Sequence, residues 1–185
     1  MQRRKVIGSA GMPGAGKATV LKIGRKLGYR AVVMGDVIRE ETVKRGLHPT
    51  AKNLGKVMLR IRKEEGSTAV AKRCCDAISE NTEQPIIIDG LRSLSEVQEF
   101  KKHFLKVKVL AIHASPKTRF QRLLKRNRSD VPFSWEDFLD RDLRELHLGL
   151  GNVIALADVL ILNETGKMAF RRNVTRFLER EKNIR

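Results

Sequence analysis

One stretch constrains this chain more than any other. It is Gly11-Met12-Pro13-Gly14-Ala15-Gly16-Lys17-Ala18-Thr19, set between a short apolar run and an amphipathic one. Gly11 and Gly16 bracket four residues and Lys17 follows at once, which is the spacing of a loop that cradles phosphate. Glycine lets the backbone turn tightly and bring its N–H groups against phosphate oxygens. The lysine reaches the terminal phosphates as a point charge, and a helix starting near Gly16 adds its positive dipole end. Ala18 stands where a Ser or Thr usually follows the lysine, and the hydroxyl comes one residue later, on Thr19. The flanks support the motif. Lys5-Val6-Ile7-Gly8 reads as a short buried strand, and Val20, Ile23, Gly24 and Leu27 recur at helical spacing behind the loop. A Gly-rich turn that merely links strand to helix is the plainer reading, and it does not explain the lysine.

A chain of 185 residues suits one domain, and 41 % hydrophobic with 32 % charged residues suits a globular one. No run approaches a membrane span and no signal-peptide apolar stretch opens the chain, so no membrane partner is expected. Cys74 and Cys75 are adjacent and cannot easily bridge each other, which reads as reduced cysteines in a cytoplasmic protein. The net charge of +17 is unusual, with basic residues concentrated at 117–128 and 167–185. Such patches suit polyphosphate substrates, RNA or a ribosomal surface, or simply a solvated cationic exterior. Base-stacking aromatics are nearly absent from these patches, which counts against single-strand recognition.

Along the chain, strand-like and helix-like runs alternate. Arg30 to Met34 reads as a strand ending at Gly35-Asp36, followed by a helix with Val37, Ile38 and Val43 on its apolar side. Leu54, Val57, Met58 and Ile61 give a helical stripe closed by Gly66, and Ser67 is placed to cap the next helix. Pro85-Ile86-Ile87-Ile88-Asp89 is the unalternating run of a strand buried on both faces. Ser93 with Glu96 forms a capping box, and Ser115-Pro116 a cap followed by proline at the first helical position. Val107 to Ile112 and Asp158 to Leu162 complete the strands. The stretch from Asn127 to Phe133 reads as a loop, after which Ser134 caps a helix bearing Trp135, Phe138, Leu139, Leu143 and Leu146. Trp135 is expected in the core. The alternation predicts an α/β domain, a five-stranded parallel sheet with helices on both faces, and a ligand site beyond the carboxyl ends of its strands. Gly11 to Lys17, Asp36, Asp89 and the helix start at Pro116 belong at that edge.

With these segments placed, the chain resembles adenylate kinases and related nucleoside-monophosphate kinases, and most of all a largely archaeal group of adenylate-kinase-related P-loop proteins. The resemblance spans nearly the full length and implies the three-layer P-loop NTPase fold. GMPGAGKAT is similar to the family's GxPGxGKGT, with Thr19 matching the family threonine. It implies ATP binding by Gly11, Met12, Pro13, Gly14, Ala15, Gly16, Lys17, Ala18 and Thr19, with Mg²⁺ held largely through water near Thr19 and Asp89. Gly35-Asp36-Val37-Ile38-Arg39 is similar to TGDxLR on the acceptor side, with Met34 in place of the threonine, and implies that Asp36 and Arg39 hold the acceptor. A surface arginine near a helix start is the plainer reading of Arg39. Ile86 to Arg92 is similar to LLDGFPR but one residue short and without the proline, and makes Arg92 a second acceptor clamp. The family glutamine that reads adenine is Glu96 here, for which capping is an equal alternative. Arg122-Leu123-Leu124-Lys125-Arg126 is similar to the RIxGR helix before the kinase lid, and Arg128 and Arg141 then look like lid arginines.

The resemblance thus implies an ATP- and Mg²⁺-dependent kinase that phosphorylates AMP or a related monophosphate. Lys17, Arg122, Arg126, Arg128 and Arg141 would stabilise the transferring group. A helical acceptor-side segment would cover roughly residues 36–84 and a short lid roughly 127–141, within one domain of 1–185. Dephospho-CoA is an alternative acceptor on a faint likeness at Ala157-Asp158-Val159. A different class also remains open, a P-loop ATPase that acts as a nucleotide-gated factor on RNA or the ribosome.

Overall fold

The computed structural model describes residues 2–78, 84–125, 134–164 and 166–183. The strands are β1 (Gln2–Ala10), β2 (Arg30–Val33), β3 (Ile86–Asp89), β4 (Phe104–His113) and β5 (Val159–Leu162). Between and after them run α1 (Lys17–Lys26), α2 (Met34–Lys44), α3 (Ala51–Glu65), α4 (Ala69–Ala77), α5 (Leu94–His103), α6 (Pro116–Leu124), α7 (Trp135–His147), α8 (Leu150–Ala155) and α9 (Lys167–Asn183). The strands form one five-stranded sheet in the order β2-β3-β1-β4-β5, and every pairing is parallel. β1 lies between β3 and β4, so the chain reverses its direction of travel across the sheet beside β1. In open α/β sheets the ligand site lies at such a reversal, beyond the carboxyl ends of the strands.

Alternation along the buried strands divides the core into two layers. Val6, Ile86, Ile88 and Val109 pack under α2, α3, α4, α5 and α8. Ile7, Ile87, Leu110 and Ile112 pack under α1 and α9, where Val20, Ile23, Val174, Phe177 and Leu178 are buried. This is the expected three-layer α/β arrangement, with side chains of one strand pointing to opposite faces. The helices α3, α5, α6 and α7 start on side-chain caps, from Thr50, Ser93, Ser115 and Ser134. Ser115 accepts from the Thr118 N–H, with Pro116 at the first helical position, and Ser134 with Asp137 makes a full capping box.

Several local expectations shift. β2 ends at Val33 and α2 begins at Met34, so Gly35-Asp36 lies in the first helical turn rather than before it. Val43 is 58 % exposed, because the inward face of α2 is that of Met34, Ile38 and Thr42. The residue before α4 is Thr68, without a side-chain cap bond, and Ser67 is exposed. Ser93 does accept from the Glu96 N–H, but the Glu96 carboxylate takes the N–H of Arg92 instead of that of Ser93. Trp135 is 37 % exposed, edge-on to Phe120 at 5.1 Å. Leu139, Leu143 and Leu146 are also exposed, while Phe138 and Asp142 face inward. The buried face of α7 is the one that supplies a carboxylate to a buried arginine, Arg119, and not the one richest in leucine.

Candidate active site

The loop after β1 is held by its own turns and by three later elements. Gly14 and Gly16 sit at φ 84° and 117°, in the region where side chains are strained. A Cβ at Gly14 would lie 2.8 Å from the Arg119 carbonyl oxygen, and one at Gly16 would strike the Asn163 amide. Asn163, buried just past β5, donates from Nδ2 to the Ala15 carbonyl at 2.7 Å. Arg119 on α6 donates to the Pro13 carbonyl at 3.2 Å and to that of Ala114 at 3.0 Å. Its guanidinium is closed by a bidentate pair with Asp142 at 2.8 and 2.6 Å and lies over the Phe138 ring. Lys17, the first residue of α1, curls back so that Nζ donates to the carbonyls of Gly11 and Met12. Thr19 is half-buried in the first turn of α1 and Ala18 is exposed.

Asp89 ends β3 directly beside Ser9 of β1 in the strand register. Burial pushes its carboxyl above the ordinary carboxylate range. The charges of Lys17 and Arg92 pull it back, while the Asp36 carboxylate pushes it further up. One carboxylate therefore senses the loop lysine, Arg92 and Asp36 at once. Asp89 Oδ1 and Ser9 Oγ are buried and make no hydrogen bond among the described residues. Open oxygen lone pairs beside a phosphate-binding loop fit a hydrated divalent cation, which binds oxygen and keeps several waters. Among the described residues, no group of three or more His, Cys, Asp or Glu side chains is arranged to hold a metal without such help.

Arg92 lies past the strand end, half-buried. Its Nε donates to Glu145 Oε2 on α7 at 2.8 Å, and its backbone N–H to Glu96 Oε2 at 2.8 Å. Glu96 is fully buried and pairs with Arg62 from α3, so its carboxylate is occupied by an arginine and a backbone N–H. Arg122 reaches the loop indirectly, through the carbonyl of Asn163 at 2.8 Å, and its Nη1 is buried with no hydrogen bond among the described residues. Asp36 and Arg39 lie on α2, both exposed. Arg141 is half-buried on α7. Arg126, Arg128 and the loop from Asn127 to Phe133 lie outside the described residues. Asp158 occupies the amino end of β5, opposite the site edge, where Oδ2 accepts from the Val109 N–H at 2.7 Å. Its role there is to tie β5 to β4.

Ser9, Asn163, Arg119 and Arg62 are absent from the set expected on sequence grounds, and Asp142 and Glu145 read there, with Arg144, only as ion-pair formers around the lid helix, without named partners. Asn163 carries a faint signal, a polar residue closing a strand at the ligand edge of the sheet. The ion pairs carry none, because their members stand 23, 34 and 53 residues apart.

The loop, the sheet order and the strand-end aspartate define a P-loop kinase-like domain. A family model described as an AAA domain matches residues 10–138. The chain is 45 % identical to the UPF0200 protein of Hyperthermus butylicus, covering 96 % of this chain and 95 % of that one. It is 48 % identical to a UPF0200 protein of Methanocaldococcus jannaschii over 86 % of this chain and 81 % of that one. The chain belongs to the UPF0200 family. Among solved structures it is similar to TT1252 from Thermus thermophilus, with a TM-score of 0.67 at 20 % identity, covering 97 % of this chain and 98 % of that one. It is also similar to shikimate kinase from Bacteroides thetaiotaomicron, with a TM-score of 0.62 at 14 % identity, covering 97 % of this chain and 99 % of that one. At these identities the likeness concerns the fold. Among the described residues no helix is long and apolar enough to cross a membrane.

Proposed function

We propose that this protein is an ATP- and Mg²⁺-dependent kinase that moves the γ-phosphoryl group to the phosphate of a nucleotide, AMP or a related monophosphate. The observation that carries the reading is the convergence at one sheet edge of the loop that holds Lys17 and, at and just past the end of β3 beside Ser9, of Asp89 and Arg92. Phosphoryl transfer asks little covalent chemistry of a protein. It asks for donor and acceptor in line, and for cations on the charge that spreads over the transferring group.

In this reading residues 11–19 cradle the donor phosphates, and Lys17 leaves its loop carbonyls for the terminal ones. Arg92 grips the acceptor's anionic group with Arg39 and Asp36 beside it, and Arg122 with Arg126, Arg128 and Arg141 serves the transferring group. Mg²⁺, when bound, neutralises developing charge on the phosphate oxygens. Asp89 and Thr19 would hold its waters, with Ser9 as a further oxygen. Because the Glu96 carboxylate is already taken by Arg62, it is a poor reader of adenine, so the choice of base falls to other groups.

The test is ATP turnover with Mg²⁺, separating ADP from free phosphate, across AMP, CMP, UMP, GMP, dephospho-CoA, shikimate, gluconate and no acceptor. ADP matched by one phosphorylated nucleoside monophosphate supports the reading and names the substrate, whereas ADP matched by phosphorylated dephospho-CoA, shikimate or gluconate keeps the kinase and removes the nucleotide-phosphate acceptor. ADP matched by free phosphate, indifferent to every acceptor, removes it.

A second reading is a P-loop ATPase acting on RNA or the ribosome. It is favoured by the outer faces of α1 and α9, which pack together. There Lys22, Arg25, Lys26, Arg172 and Arg176 are exposed, with no hydrogen bond or ion pair among the described residues. This reading expects RNA binding that depends on ATP and weakens by orders of magnitude between about 50 and 200 mM salt. Weak binding indifferent to ATP removes it.

A further inference from the structure

We propose that Glu145 is a positioning residue for the acceptor. It holds the Arg92 guanidinium by its Nε edge so that the two Nη groups face an incoming anion, in a frame shared with the donor loop. The inference rests on the reading of Arg92 as the acceptor clamp.

The argument starts from how Arg92 is held. A guanidinium carries donors in a rigid planar fork, and a carboxylate taking more than one of them would consume the fork. Glu145 takes only Nε, at 2.8 Å, and the Nη groups make no hydrogen bond or ion pair among the described residues. The other end of the residue is also anchored, since the Arg92 N–H donates to Glu96, which Arg62 of α3 locks in place. An arginine tethered at both ends gives up less rotamer freedom when it binds a ligand, so more of the binding energy survives. Glu145 is 15 % exposed and the Arg92 side chain 24 %, so the pair is partly shielded without being closed off from solvent.

What Glu145 is built on matters as much. One turn earlier on α7, Asp142 makes the buried bidentate pair with Arg119, and Arg119 donates to the Pro13 carbonyl of the donor loop. Residues three apart share a helix face. One rigid helix thus sets the donor loop through Asp142 and the acceptor arginine through Glu145. In-line transfer is sensitive to misplacement of about 1 Å, so a common reference for both subsites has a direct use.

The experiment compares wild type with Glu145→Ala, Glu145→Gln, Arg92→Ala and the Arg92→Ala/Glu145→Ala double variant. It measures melting temperature, affinity for AMP and for inorganic phosphate by calorimetry, and kcat and KM for each substrate. Glu145→Ala is expected to weaken AMP binding and raise acceptor KM about tenfold, with kcat falling by a smaller factor and ATP KM nearly unchanged. Glu145→Gln, whose amide oxygen still accepts from Nε, should recover most of that loss, and the double variant should bind no worse than Arg92→Ala. The proposal is overturned if Glu145→Ala binds AMP as wild type does. It is also overturned if ATP and AMP weaken together with a fall in stability, or if Gln is no better than Ala, since either marks a merely structural pair. If no acceptor is phosphorylated yet both single variants weaken phosphate or AMP binding, the kinase reading fails and the role of Glu145 stands. If wild type binds neither probe in an Arg92-dependent way, both fall.

Discussion

The phosphate loop and the acceptor clamp proposed around Arg92 lie on the same sheet edge, and they are built on opposite principles. The loop is shaped by backbone: Gly14 and Gly16 have no room for a Cβ, and carbonyls of Pro13 and Ala15 are held by Arg119 and Asn163. The clamp is shaped by side-chain charge, through Arg92–Glu145 and Arg62–Glu96. Backbone geometry of this kind tolerates almost no substitution and suits a ligand group that never changes. Ion pairs can be exchanged one residue at a time, so a subsite built on them changes its ligand more readily than one built on backbone.

The sharpest break in that contrast should come from the loop. Gly14→Ala must relieve both a positive φ and a contact with the Arg119 backbone, and is expected to abolish nucleotide binding by calorimetry. Lys17→Ala keeps the backbone and removes only the charge, so turnover should fall about 10²–10³-fold with the fold intact. Next comes the strut between the two regions. Asp142→Ala leaves the Arg119 guanidinium buried without its counter-ion and should cost about 3–5 kcal/mol in denaturant unfolding. A loss below about 1 kcal/mol would mean that the loop does not depend on this pair.

A smaller effect, of opposite sign, is expected at Asp89. Its folded pKa is raised by burial. The unfolded chain therefore gives up its proton first, and stability present below the unfolded pKa is lost as pH rises through the folded one. Asp89→Asn should thus melt a few degrees higher than wild type at neutral pH and lose that advantage in acid, while Mg²⁺-dependent turnover disappears. Equal melting profiles across pH would show that Lys17 and Arg92 fully offset the burial. The smallest effect is expected at Arg60. Its pair with Glu64 is solvent-exposed on α3, and Arg60→Ala should leave melting temperature and both substrate affinities unchanged.

The same contrast explains what could be read in advance. The strand, loop and helix around Lys17 are neighbours in sequence, so their spacing announces them. The parallel sheet and both layers follow from periodicities that survive in any context. Expectations fail where one face of an element had to be chosen. α7 carries Leu139, Leu143 and Leu146 on one side and Phe138 with Asp142 on another, and the side that meets Arg119 is buried. Val43 and Trp135 are exposed for a similar reason, since hydrophobic character alone does not say which partner is near. Glu96 keeps half of its capping role, yet its carboxylate goes to Arg62 and the Arg92 N–H, partners that no local rule supplies.

The sequence by itself determined the fold class, the phosphate loop and the strand that ends at Asp89, because each rests on spacing within a few residues and on backbone requirements that glycine and alternation express directly. Only the tertiary structure decided that Asn163 and Arg119 brace the loop, that Glu145 holds Arg92, and that Ser9 faces Asp89. Those partners meet through the sheet order and through packing on α7, and a pairing across tens of residues leaves no periodic trace in the chain that makes it.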